Sequence, residues 1–245
     1  MLALVMVRFV RGLAVVGAAL LAFAALTRPW MMRWGATGNE VRAHLPGDEL
    51  VADPNLTATR AITVEAPVED VWPWIAQLGQ GRGGFYSYSD LENLAGGDIH
   101  NADRIVPGWQ SVGVGSAVRL GPEFPLTVAV AQPPRALVLH GGIPLGRTPP
   151  LDFTWAFVLG EGRVRTTRLV VRERYVYLRW WAAVIAEPAS LVSFVMSRRM
   201  LYGIKERAER AAGVAYSASE RAPSTDCRPS GCRTPPPPPS SSRHR

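Results

Sequence analysis

Five short apolar segments, crowded between Ser116 and Tyr177, constrain this chain more than anything else in it. They read "SAVRLG", "LTVAVAQ", "RALVLHG", "DFTWAFVLG" and "VRTTRLVVRERYVY". Between them stand Pro122, Pro125, Pro133-Pro134, Pro144 and Gly160-Glu161-Gly162. Proline cannot donate to a ladder and glycine lets the chain turn sharply, so each break ends a strand. Connections this tight leave no room for a crossover helix, and neighbouring strands must pair antiparallel. An earlier segment, "TATRAITVEAP", sets Ile62 and Val64 against Thr59, Ala61, Thr63 and Glu65, the alternation of a half-buried strand.

Helical spacing flanks the strands. After Pro67, residues Val68, Val71, Trp72, Ile75 and Leu78 share one face, with Pro73 expected to kink or shorten that helix. "SYSDLENLAG" predicts a second short helix, with Ser87 or Ser89 as cap and Gly96-Gly97 as stop. The last large element spans about Leu178 to Ala212, interrupted at Pro188, with Leu191, Val195, Arg198, Leu201, Ile204 and Ala208 stepping along it. Strand, two helices, five strands and a long helix make an α+β fold, in which the last helix lies across the concave face of a curved sheet. The space between them is a natural pocket for an apolar ligand.

The ends differ in kind. Gly12 to Thr27 holds no charge, Arg8 and Arg11 precede it, and Arg28 follows. Residues 1–33 therefore predict a single-pass membrane anchor, with Trp30 at the interface. The alternative is a secretory signal cleaved after Ala22-Phe23-Ala24, leaving a secreted protein. Residues 34–56 form a connector with a short helix in "ATGNEVRAHL", residues 57–212 the folded domain, and 213–245 a Pro/Ser/Arg-rich tail too polar to order itself.

Charge and cysteine exclude several functions. Of the net charge of +7, the tail from Arg221 carries four, as five arginines against Asp226. No basic stripe remains to make a nucleic-acid face. Cys227 and Cys232 both lie in the tail, so the domain has no disulfide framework, cysteine zinc site or thiol nucleophile. No G-x-S-x-G occurs either.

The stretch "ATRAITVEAPVEDVWPWIAQLGQGRGGFYSYSDLENLAGGDIHNADRIVPGWQSVGVG", the "FTWAFVL" strand and the "FVMSRRMLYGIKERAE" helix resemble bacterial SRPBCC proteins. These belong to the START-like superfamily, with its polyketide cyclase/dehydrase-like and lipid-transfer members. The resemblance covers about Thr57 to Ala212. It implies a helix-grip fold and a hydrophobic-ligand cavity under the C-terminal helix. It implies no single activity, because the superfamily spans carriers, cyclases and regulators.

Candidate site residues cluster after the first helix. Gly79, Gly81 and Gly84 match G-x-G-x-x-G, but a dinucleotide loop follows a strand and opens a helix, and these glycines follow a helix. Arg82 could receive a carboxylate or phosphate head group, or be simply solvated. Phe85, Tyr86 and Tyr88 could line the cavity mouth or pack the second helix on the sheet. Glu92 sits on that helix within reach of Arg82 or Arg104. Asp98, His100 and Asp103 suit either proton transfer at a cavity or ordinary turn and cap positions with Arg104 as ion-pair partner; no second histidine cluster supports a metal. Trp155 on its strand and Met196 and Met200 on the last helix complete the candidate ligand-binding set, with the methionines equally suited to core. No catalytic residue, metal or cofactor is assigned. The expected partners are a hydrophobic small molecule or lipid and, through the N-terminal segment, a membrane. The competing functions are a cyclase or dehydratase-like enzyme using cavity acids and bases, and a ligand-free interaction protein. His100 and Asp103 facing the cavity would favour the enzyme.

Overall fold

The alternating segments form one curved, six-stranded antiparallel sheet in the order β1-β6-β5-β4-β3-β2. The structure, a computed structural model, describes residues 25–221 apart from 95, 123 and 144–148, together with 17, 22 and 23. The strands are β1 (Leu56–Val64), β2 (Ala117–Arg119), β3 (Pro125–Gln132), β4 (Ala136–Ile143), β5 (Leu151–Glu161) and β6 (Thr167–Tyr177). Strands β2 to β6 run as a meander, as their short connections require, and β1 joins at the far edge of β6. The helical residues 25–32 are termed α1. They are followed by α2 (Gly38–Arg42), α3 (Val68–Ala76), α4 (Ser89–Leu94) and α5 (Ala182–Arg221).

Period-two burial gives the sheet two distinct faces. On the concave face Phe153, Phe157 and Leu159 of β5 meet Leu169 and Val171 of β6. Leu201, Ile204 and Ala208 of α5 and Val71 and Ile75 of α3 close over them. Burying one such aliphatic or aromatic side chain contributes about 1.5–3 kcal/mol, so this cluster holds helix to sheet. The α+β architecture, with a long C-terminal helix gripped by the sheet, fits the helix-grip fold.

Helix α5 departs from expectation in two ways. It runs through Pro188 instead of breaking there. Proline leaves the Val184 carbonyl without its helical partner, but Val184 and Pro188 are exposed, and water can replace the lost bond. Leu201, Ile204 and Ala208 are buried as expected, but before them the buried face is rotated from the expected stripe. Ser190, Phe194, Ser197, Met200 and Leu201 point inward, whereas Val195 and Arg198 are exposed. Apolar periodicity misleads here because serines on the inner face have a buried partner, described below.

The convex face is covered by the segment preceding β1. Thr37 and Glu40 form a reciprocal capping box that starts α2. Arg172 of β6 then reaches into this segment, bonding Asp48, the Ala43, Glu40 and Val41 carbonyls, and the Thr59 hydroxyl.

Glycine is required at two close approaches. A Cβ on Gly203 of α5 would lie 2.2 Å from the Tyr86 carbonyl oxygen, so only glycine lets α5 sit against that loop. Gly84 has φ +71° and its Cβ would fall 2.6 Å from Asn101 Oδ1.

Most of the expected anchor, Gly12 to Thr27, lies outside the described residues, as does the tail from residue 222. Among the described residues no helix is long and apolar enough to cross a membrane.

Candidate functional site

Helix α5 and the concave face do not meet everywhere. Between them lies a cavity of about 210 Å³. Phe85, Ile99, Leu120, Phe153, Trp155, Met196 and Met200 make its apolar wall, and Ser87, Glu92, Glu173, Tyr175, Ser193 and Ser197 its polar part. Trp155 stacks at a tilt between Phe85 and Phe157, and Phe153 stacks on Tyr175 with centroids 5.0 Å apart. The aromatic wall is therefore built by β5 and β6, whose alternation aims these rings inward.

At one pole sits Glu173, only 3% exposed, paired at 2.7 Å with Arg60, itself 1% exposed. Its carboxylate accepts further bonds from Ser193 Oγ at 2.7 Å, Ser197 Oγ at 2.8 Å and Tyr175 Oη at 3.0 Å. Burial alone would raise the Glu173 pKa, but the Arg60 guanidinium and these hydroxyls outweigh it and hold the carboxyl below its ordinary value. Glu173 is thus a buried carboxylate. Tyr175 is held neutral, its pKa raised well above the usual by burial and by the adjacent Glu173 charge.

Glu92 on α4 is the opposite case. Its Oε2 is buried without a partner. Burial raises its pKa, against a smaller lowering by the Ser87 hydroxyl. The indole Nε1 of Trp155 is likewise buried and unpartnered. One acceptor and one donor therefore border the cavity without a protein partner.

Of the candidate residues read from sequence, Phe85, Glu92, Trp155, Met196 and Met200 line this cavity together. The other five are placed outside its lining. Arg82 donates to the carbonyls of Ala76 and Trp109, closing the end of α3. Burial lowers its pKa. Tyr86 is buried beside the cavity, donating to the Trp74 carbonyl and accepting from Gln77 Nε2, with Arg207 over its ring. Desolvation pushes its hydroxyl up to about 12. Tyr88 is exposed, beside a surface groove lined by Phe194, Val195 and Tyr202. His100 is 83% exposed and faces Asp98, and Asp103 is 81% exposed and pairs with Arg207 at 2.8 Å. The two residues chosen to favour an enzyme point to solvent. Among the described residues no group of three or more His, Cys, Asp or Glu could hold a metal.

The glycine motif is a structural loop. Gly79 and Gly84 bridge each other antiparallel after α3, and Gly79, Gly81 and Gly84 all have positive φ. No helix N-terminus opens on them, so no pyrophosphate cradle exists there.

Sequence reading missed Glu173, Tyr175, Ser193 and Ser197. One signal could have found them. Leu169, Val171, Glu173 and Tyr175 share a face of β6, so a glutamate occupies an inward position. Ser193 and Ser197, one helical turn apart, provide the hydroxyls it needs.

No family model matches the chain, and no curated protein does. Among solved structures it is similar to protein MLL2253 from Mesorhizobium loti, at 15% identity over 63% of this chain and 98% of that one, TM-score 0.38. Protein Ms6760 from Mycobacterium smegmatis matches at 16% identity over 62% and 89%, TM-score 0.36. CalU16 from Micromonospora echinospora matches at 17% identity over 65% and 88%, TM-score 0.30. These scores are low, and the class rests on the strand order, the long C-terminal helix and the cavity between them. The fold fits the helix-grip arrangement, a curved antiparallel sheet around a long C-terminal helix.

Proposed function

We propose that the chain binds a small, largely apolar molecule in the cavity between the sheet and α5. The observation that carries this is the wall itself: seven apolar or aromatic side chains surround about 210 Å³ that the core does not fill. Such clefts, apolar with a few placed polar groups, are typical of ligand sites, and this one is below the usual ~300–1,000 Å³. Two methionines in the wall adapt to differing shapes. The neutral probe N-phenyl-1-naphthylamine should bind saturably at one site per chain, and Met196→Trp, which fills the cavity, should abolish it. Absence of saturable binding to the unmodified protein would overturn the reading.

A membrane tether belongs to the same proposal. Its support is the uncharged run from Gly12 to Thr27, leading into α1. Helix α1 is fixed to α5 by Arg28–Glu187 at 2.6 Å and by Trp30 edge-on to Phe194. The full chain should float with phosphatidylcholine vesicles, and a chain lacking residues 1–33 should not; flotation of neither contradicts the tether.

One observation favours a second reading, acid–base turnover of the bound molecule. Glu92 and Glu173 line one cavity, and their surroundings push their pKa values in opposite directions. A β-hydroxyketone should then lose water with the absorbance of an enone appearing, and Glu92→Gln should stop turnover while binding persists. Unchanged turnover in that variant removes this reading.

A further inference from the structure

The chemistry left unpaired in the cavity wall says what kind of polar group a ligand must carry; this deepens the binding reading above and rests on it. We propose that the cavity selects apolar molecules bearing a hydroxyl or amine and rejects those ending in a carboxylate or phosphate, with Glu92 as the acceptor and Trp155 Nε1–H as the donor.

Three observations lead there. Glu92 and Trp155 both line the cavity, and each carries a buried polar atom, Oε2 and Nε1, without a partner among the described residues. A buried unpaired polar atom is costly, and a ligand hydroxyl relieves both at once in chemical terms, since it donates and accepts.

The hydroxyls that could solvate an anion are already committed. Tyr175, Ser193 and Ser197 all donate to Glu173, and a hydroxyl has only one proton to give. Ser87, the remaining hydroxyl, lies 3.5 Å from Met196 Sδ and against the Glu92 carboxyl, whose pKa it lowers.

Among the described residues no cation lines the cavity. Arg60, the partner of Glu173, is not part of the wall, and its guanidinium lies 5.7 Å over the Phe194 ring. An anionic head group would enter beside Glu92 with nothing to neutralise it. A protonated amine would instead find the open Oε2 of Glu92.

The test uses octan-1-ol, octylamine and octanoate, which share one chain length, to displace N-phenyl-1-naphthylamine from the full protein at pH 7.5. The alcohol and amine should displace it at concentrations roughly tenfold or more below octanoate. Glu92→Gln keeps the side-chain shape and an acceptor oxygen but removes the charge. It should strengthen octanoate roughly tenfold, weaken octylamine comparably and leave octanol nearly unchanged. That comparison removes the difference in water solubility among the three. Trp155→Phe should weaken octanol several-fold and spare octylamine, which has no acceptor when protonated. Equal displacement by all three, or a preference unaltered in Glu92→Gln, overturns the proposal while leaving cavity binding intact. Failure of the probe to bind the unmodified protein overturns both.

Discussion

Strands β1 and β6 bury an arginine–carboxylate pair on each face, and the two pairs differ in how completely the arginine of the pair is satisfied. On the convex face Arg172 makes bonds through all three guanidinium nitrogens, and Asp48 accepts from Arg172 and the Leu45 amide and pairs with Arg174, whose Nε is left without a partner. On the concave face Arg60 leaves one Nη2 without a partner, and the same side of the molecule leaves Glu92 Oε2 and Trp155 Nε1 unpaired. A saturated pair locks one element onto another. An incomplete polar set beside a cavity is what a ligand can complete.

If that contrast is right, the largest loss of stability belongs to the saturated side. Arg172→Met leaves three carbonyls unpaired and Asp48 with only Arg174 and the Leu45 amide, and should cost about 3–5 kcal/mol in urea unfolding. A cost below about 1 kcal/mol would mean the clamp does not hold the covering segment. Glu173→Gln leaves Arg60 buried and unpaired and should cost about 3 kcal/mol; adding Arg60→Met should recover part of it, as coupled partners do. Purely additive losses would show that the two are not coupled.

Glu92→Gln should carry the opposite sign. Its folded pKa is raised, so the folded state is favoured while the carboxyl is protonated, and that advantage is lost as pH rises through the elevated value. Removing the ionisable group should therefore raise the melting temperature at pH 8 and change little at pH 4. A loss at both values would make Glu92 a structural residue.

The smallest effect concerns Glu40, held at about 2 against an ordinary 4.5, chiefly by its bond to Arg168. A depressed carboxyl contributes stability that is present above its unfolded value and lost as pH falls through the folded one. Arg168→Met should therefore flatten the stability profile between pH 4.5 and 2 without altering ligand binding. An unchanged acid limb would contradict the assignment.

The sheet was legible because its signals are local: alternation and turn residues place each of the six strands within a few residues of its expected position. Part of the site was legible for a similar reason, since Trp155 and the Met196/Met200 pair follow directly from strand alternation and helical spacing. Glu173 was hidden because a glutamate among arginines in "VRERY" reads as a solvated edge, and only the long-range pairing with Arg60 shows that it is buried. His100 and Asp103 misled for the converse reason. Residue types that suit proton transfer also suit exposed turns, and nothing local distinguishes them.

The most direct measurement is the indole N–H resonance of Trp155 in the ¹⁵N-labelled protein, assigned through Trp155→Phe, during titration with octan-1-ol. The account predicts that this signal shifts saturably as its unpaired N–H gains an acceptor, while that of Trp180, 92% exposed, stays in place. A Trp155 signal that does not move at saturating ligand would contradict it.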